Sequence, residues 1–188
     1  MTKSVLDRDI DRVLLTQEEI QRVTSRIAAQ IDRDFRSSTR LLLLGILKGS
    51  VVFMGDLMKK VTVPVEIDFM KVSSYSSSTE PSGRINILLD LNRADLSECD
   101  VLIVEDIIDS GRTLSYLVEY LRLGGAKSVH TCTLLDKPSR RVVEFTPDYV
   151  GYEIPDEFVV GYGLDYAEQY RTLPYIGILK PDIYTKKK

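Results

Sequence analysis

The stretch 41–47, LLLLGIL, carries no polar side chain at all. Successive residues of a strand point to opposite faces of the sheet, so a strand with one wet face alternates apolar and polar positions. An unbroken apolar run therefore reads as a strand covered on both faces, which is the situation of central strands in a parallel sheet. Comparable strands are expected at 63–72 (VPVEIDFMKV), 85–91 (INILLDL), 101–106 (VLIVED) and 128–137 (SVHTCTLLDK).

Segments of helical type separate these runs: 50–60, SVVFMGDLMKK, and 114–125, LSYLVEYLRLGG, the second closed by glycines. Ahead of them, Thr16 and Glu19 have the spacing of a capping box. Ile20, Val23, Ile27 and Ile31 follow at helical intervals, so an amphipathic helix is expected from 16 to about 36. Strands alternating with helices predict an α/β domain with a mainly parallel central sheet, right-handed crossovers and helices on its flanks.

From 138 onward the pattern changes to short aromatic pieces with tyrosine at 149, 152, 162, 166 and 170. These read as a small antiparallel hood over the sheet rather than a second domain. The expected division is one domain over 1–188, with a core at about 37–137 and 174–181, and a hood at about 138–173 together with the N-terminal segment. A chain of 188 residues suits this, since one of that size buries roughly 70% of its unfolded surface. The segment 73–83, SSYSSSTEPSG, lacks apolar periodicity and is expected to be a long flexible loop of the kind that forms lids.

Charge and cysteine usage exclude several classes. A net charge of -3 argues against a protein whose business is holding nucleic acid, because such domains carry a basic excess. Cys99 and Cys132 show neither CxxC nor Cys/His spacing, so no disulfide framework or zinc site is expected, and a reducing cytoplasm fits. The first twenty residues are crossed by charges, unlike a secretory signal, and the run at 41–47 is far short of a membrane span. The final KKK reads as a solvated tail. The expectation is a cytoplasmic protein with small-molecule partners, no nucleic acid and no membrane.

The chemistry concentrates at 101–114, VLIVEDIIDSGRTL. In an open α/β sheet, ligands bind beyond the carboxyl ends of strands, where loops enter helices. Gly111 permits a tight turn, and the backbone N–H groups of residues 109–113 can converge on a phosphate at the positive end of the following helix. Ser110 and Thr113 add hydroxyls. Neither GxxxxGK[ST] nor GxGxxG is present. Acids beside such a loop repel a bare anion, so Glu105 and Asp106 must address another part of the ligand. Ribose hydroxyls and a divalent cation both fit, and a phosphorylated sugar with magnesium supplies both.

The whole arrangement, an apolar strand, an acidic pair, two apolar residues and then Asp-Ser-Gly-Arg-Thr, resembles residue for residue the 5-phosphoribosyl 1-diphosphate (PRPP) signature of the type I phosphoribosyltransferases. Further stretches are similar to the hypoxanthine-guanine branch of that family. GILKGS resembles its pyrophosphate loop, which implies Lys48 and Gly49 at the pyrophosphate and a Leu47–Lys48 bond that can be cis; Ser50 stands where glycine or alanine is common. SSYSSS resembles its lid, implying Ser74 and Tyr75 over the reacting centre. LLDKPSRR places Lys137 where the family reads the 6-oxo group of a purine. An ammonium there favours a keto purine over adenine, whose 6-amino group is itself a donor. IPDEFVVGYGLDY then implies Phe158 stacking on the base and the Val159 backbone reading its edge.

By the same resemblance Glu105, Asp106, Asp109, Ser110, Gly111, Arg112 and Thr113 bind PRPP. Glu105 and Asp106 hold ribose hydroxyls directly or through Mg2+, Asp165 holds a second Mg2+, and Arg171 binds pyrophosphate. Asp109 faces the imidazole side of the base as general base or acid. The implied function is purine salvage: Mg-dependent transfer of phosphoribosyl from PRPP to a 6-oxopurine, hypoxanthine and/or guanine, by a homodimer or homotetramer. Two alternatives stay open, a phosphoribosyltransferase-fold regulator that binds RNA and a sibling enzyme preferring xanthine. The single histidine, His130, lies inside an expected strand and reads as structural.

Overall fold

The computed structural model describes residues 5–74, 85–93 and 95–185. After a 3-10 turn at Val5–Asp9 come strand β1 (Ile10–Leu15), helix α1 (Gln17–Asp34), β2 (Leu41–Leu47), α2 (Val51–Met58), β3 (Val65–Ser74) and β4 (Ile85–Leu89). The chain continues through β5 (Asp100–Ile108), α3 (Arg112–Leu123), β6 (Ser128–Asp136), β7 (Tyr149–Glu153), β8 (Val159–Val160), β9 (Ile176–Leu179) and α4 (Pro181–Tyr184). Six strands form one sheet in the order β4-β3-β2-β5-β6-β7, parallel throughout except for the antiparallel edge strand β4. A second sheet, β1-β9-β8, is antiparallel.

The unbroken apolar run behaves as its composition requires. Leu41 and Leu43 face one hydrophobic cluster with α1 and α2, while Leu42, Leu44 and Ile46 face another with α3. Helix α1 starts where the capping box places it: the Glu19 N–H donates to Thr16 Oγ1 at 3.2 Å and the Thr16 N–H donates to Glu19 Oε2 at 2.8 Å. Its buried stripe includes Ile20, Val23, Ile27 and Ile31.

One piece of the expected hood and one of the expected core go elsewhere. Residues 149–153 are not part of an antiparallel flap; they form β7 and extend the main sheet parallel to β6. The reason is packing under α1: the Tyr149 hydroxyl donates to Asp34 Oδ2 at 3.0 Å, and Arg26 Nη2 donates to the Val150 and Gly151 carbonyls. The last strand, expected with the core, pairs with β1 and β8 in the small sheet. Its Ile176 and Ile178 nonetheless reach the main cluster, so one strand serves both layers. No helix among the described residues is long and apolar enough to cross a membrane.

Candidate active site

The parallel strands deliver their carboxyl ends to one edge of the molecule, and β5 ends there in acids. Glu105 Oε2 is buried and has no hydrogen-bond partner among the described residues. Burial, reinforced by the neighbouring Asp106 charge, holds the Glu105 carboxyl well above the usual carboxylate range. Burial also pushes Asp106 up, to about 6, with the Ile107 N–H at 2.8 Å and the Arg171 charge working the other way and Asp165 adding to the rise. The loop after β2 presses on this acid: a Cβ at Gly49 would stand 1.5 Å from Asp106 Oδ2. Any larger residue at 49 would have to displace the Asp106 carboxylate. The adjoining Leu47–Lys48 peptide is cis.

Beyond β5 the chain turns through Gly111, whose φ of +79° is left-handed, into the first turn of α3. Glu105, Asp109, Ser110, Gly111 and Thr113 line a cleft of about 230 Å³ at this positive helix end. The Arg112 N–H donates to Ser110 Oγ at 3.4 Å, while the Arg112 side chain is exposed and does not line the cleft.

A second cleft, of about 260 Å³, lies alongside. Asp106 and Asp109 form one wall; Lys137, Phe158, Val159 and Asp165 contribute the others. Lys137 is buried, with its Nζ 3.9 Å from Asp109 Oδ1. Phe158 is 37% exposed, and its ring is backed by Tyr184 (centroids 4.8 Å apart, planes at 18°) and met edge-on by Tyr166 at 5.6 Å. A partly exposed aromatic face beside a buried ammonium suits a planar heterocycle with an acceptor on its edge. Asp109 and Ile107 line both clefts.

On the third side Arg171 forks to the Gly163 carbonyl at 2.7 Å and Asp165 Oδ1 at 2.8 Å, leaving its buried Nε without a partner among the described residues. Lys48 Nζ meets Glu168 Oε2 at 2.9 Å, and Glu168 also lies 3.4 Å from Arg171 Nη2. The hydrogen bond from Lys48 lowers the Glu168 pKa. Glu168 is a member of the site that sequence reasoning passed over, although it stands three residues before Arg171, where two charges can pair. Gly163 is another: its φ is +101°, and a Cβ there would lie 2.1 Å from the Gly49 carbonyl oxygen. Tyr184, behind Phe158, leaves no signal in the sequence.

Of the expected residues, Glu105, Asp106, Asp109, Ser110, Gly111, Thr113, Lys137, Phe158, Val159 and Asp165 line the two clefts. Lys48, Gly49 and Arg171 flank them. Ser74 closes β3 opposite Ile85, and Tyr75 lies outside the described residues. The expectation gives Glu105 and Asp106 to one ion and Asp165 to a second, and the described residues contain no group of three or more His, Cys, Asp or Glu poised to hold a single ion. Asp165 faces Arg171 and accepts from the Glu168 N–H at 2.9 Å. His130 sits in β6 against the edge of Phe35, its Nδ1 3.5 Å from Asp148, and lines neither cleft.

Residues 13–167 match the model of the phosphoribosyl transferase domain. The chain is 51% identical over 180 residues to a hypoxanthine-guanine phosphoribosyltransferase of Bacillus subtilis (strain 168), covering 96% of this chain and 99% of that one. Its fold is similar to the crystal structure of a hypoxanthine phosphoribosyltransferase from Staphylococcus aureus, with a TM-score of 0.92 at 48% identity over 98% of this chain and 99% of that one. It is also similar, at a TM-score of 0.88 and 38% identity over 94% of each chain, to a hypoxanthine phosphoribosyl transferase of Trypanosoma cruzi, whose C-terminal region was studied for its role in oligomeric state and activity.

Proposed function

The chain belongs to the phosphoribosyl transferase family, and from that premise we propose how its site divides the work. It is a purine-salvage transferase that moves the 5-phosphoribosyl group of PRPP to hypoxanthine and/or guanine, yielding IMP and/or GMP and pyrophosphate. The observation that carries the division is that the two clefts share Asp109. One cleft has the helix end and hydroxyls for a sugar phosphate, the other the ammonium and aromatic face for a base, and the bond to be made spans the acid between them.

In this reading Ser110, Gly111 and Thr113 bind the 5-phosphate and Glu105 and Asp106 take the ribose hydroxyls. The unpartnered Glu105 oxygen supports this, since a buried carboxyl oxygen without a donor is ready to accept one from a ligand. Lys137 donates to the 6-oxo group and Phe158 stacks on the ring, which selects 6-oxopurines against adenine. Lys48, Gly49 and Arg171 hold the leaving pyrophosphate; the fork of Arg171 suits phosphate oxygens. Asp109 takes or returns the imidazole proton as the new bond forms.

The site fits magnesium. Glu105, Asp106 and Asp165 offer hard carboxylate oxygens, and magnesium commonly uses one or two carboxylates together with substrate phosphates and water rather than an all-protein cage. Bound there, it would neutralise charge building on pyrophosphate and compensate the two raised acids of β5. A cytoplasmic homodimer or homotetramer is the assembly this reading favours. The RNA-binding alternative finds no support in the relatives reported above, which are all named as enzymes.

The test is to incubate the purified protein with PRPP and magnesium against hypoxanthine, guanine, xanthine, adenine and uracil in parallel, scoring nucleotide formed. Turnover of hypoxanthine or guanine with adenine and uracil silent is expected. Preference for xanthine would move the base assignment, and uracil turnover, or none on any base, would overturn the reading.

A further inference from the structure

One segment bears on the turn at 109–111 without lining either cleft. After β6, residues 138–145 fold back across that turn. Arg141, whose side chain is 15% exposed, forks between two acceptors: Nη1 donates to the Asp109 carbonyl and Nη2 pairs with the similarly buried Asp136 carboxylate. Next to it, the Val142 N–H donates to the Ser110 carbonyl at 3.1 Å and the Val143 N–H approaches the same oxygen at 3.4 Å. The strap lies close on the turn, since a Cβ at Gly111 would stand 2.9 Å from Arg141 Cδ.

In a trans peptide the carbonyl and the N–H of the following residue point in opposite directions. Anchoring the Asp109 carbonyl on Arg141 therefore turns the Ser110 N–H away from the strap. Anchoring the Ser110 carbonyl on Val142 and Val143 does the same for the Gly111 N–H. Ser110, Gly111 and Thr113 line their cleft, and no residue of the strap does. We infer that Arg141 is a positioning residue for the phosphate end of the site: with the 142–143 backbone it fixes two consecutive peptides so that their N–H groups face the ligand. This rests on the reading of that cleft as the PRPP 5-phosphate pocket.

The inference separates one substrate from the others. In Arg141→Met the KM for PRPP is expected to rise about tenfold, the scale of one lost charge-assisted hydrogen bond. The KM for hypoxanthine and inhibition by inorganic pyrophosphate should change by less than about twofold, because the strap meets the base side through the Arg140 N–H on the Lys137 carbonyl, which Arg141→Met leaves in place. Arg141→Lys restores part of the PRPP effect, since lysine supplies a donor but not a fork. Removing Arg141 strands the Asp136 charge, which threatens folding; the pair Asp136→Asn with Arg141→Met removes that charge and should show the same selective rise. An unmoved PRPP KM in a folded variant overturns the role of Arg141. So does a parallel loss of PRPP, hypoxanthine and pyrophosphate binding together with thermal stability, which would make it a structural prop. If the wild-type protein transfers nothing from PRPP, the reading of the site fails instead.

Discussion

At the amino end of β5 the buried Asp100 carboxylate accepts from Ser38 Oγ at 2.6 Å, Ser128 Oγ at 2.8 Å and Lys127 Nζ at 3.0 Å. At the carboxyl end of the same strand, Glu105 Oε2 has no partner among the described residues, and Asp106 is covered by burial more than by donors. Burial pushes all three acids toward the protonated form. At Asp100 the hydrogen bonds outweigh it and leave the pKa below the ordinary value of 3.8; at Asp106 they do not, and the pKa rises to about 6. One end of the strand is finished by side chains of the neighbouring segments. The other is left incomplete, as an end that waits for hydroxyls or a cation must be.

The largest expected effect lies at the unfinished end and falls on rate. Asp109→Asn should lower kcat by about 10²–10⁴ with little loss of thermal stability, because its exposed carboxylate meets only the Lys137 Nζ, at 3.9 Å; near-wild-type turnover would remove Asp109 from the chemistry. At the finished end the sign of the lesson reverses. Asp100→Ala leaves three donors without their acceptor and should cost about 2–3 kcal/mol in denaturant unfolding, with kcat/KM of the folded fraction unchanged. A loss of specific activity there would mean the two ends are not independent.

Asp106→Asn sharpens the comparison from the other direction. It removes a buried charge that the folded protein holds poorly, so ligand-free stability at pH 7 should rise by about 1–2 kcal/mol while activity falls. The pH dependence carries the same contrast. The native Asp106 binds its proton more tightly than the unfolded chain does, so its contribution to stability is present at low pH and is lost as pH rises from about 4 through about 6. Asp100 contributes in the opposite sense: its stabilisation is present above 3.8 and is lost as pH falls through its depressed value. Unfolding midpoints measured from pH 3 to 8 for wild type and each variant would resolve the two slopes.

The unequal legibility of these regions in the sequence has a physical basis. The signature of the site is nearly contiguous, because a strand end, a turn and a helix start are consecutive by construction. The two-faced run at 41–47 is legible because burial on both faces leaves no polar position. Pairing across distance is not legible. Ser38 meets Asp100 across 62 residues and Lys48 meets Glu168 across 120. The choice of β9 for β1 and the placement of β7 beside β6 depend on which edges remain open after the sheet forms, and tyrosine content is silent on that. The strap on the 109–111 turn combines backbone N–H groups, which any sequence could supply, with an Arg141 fork whose acceptors lie 5 and 32 residues away.

The most direct test is a site-resolved titration. Carboxyl carbons of aspartate, labelled with 13C, would be followed by NMR from pH 2 to 8 with and without PRPP and magnesium, with Asp100→Asn and Asp106→Asn variants for assignment. Asp106 should titrate near 6 in the free protein and fall by more than about one unit on binding, while Asp100 stays below 3.8 in both states. If Asp106 and Asp100 titrated together near the ordinary value, or if ligand left Asp106 unmoved, the contrast between the two ends of β5 would not be what organises this site.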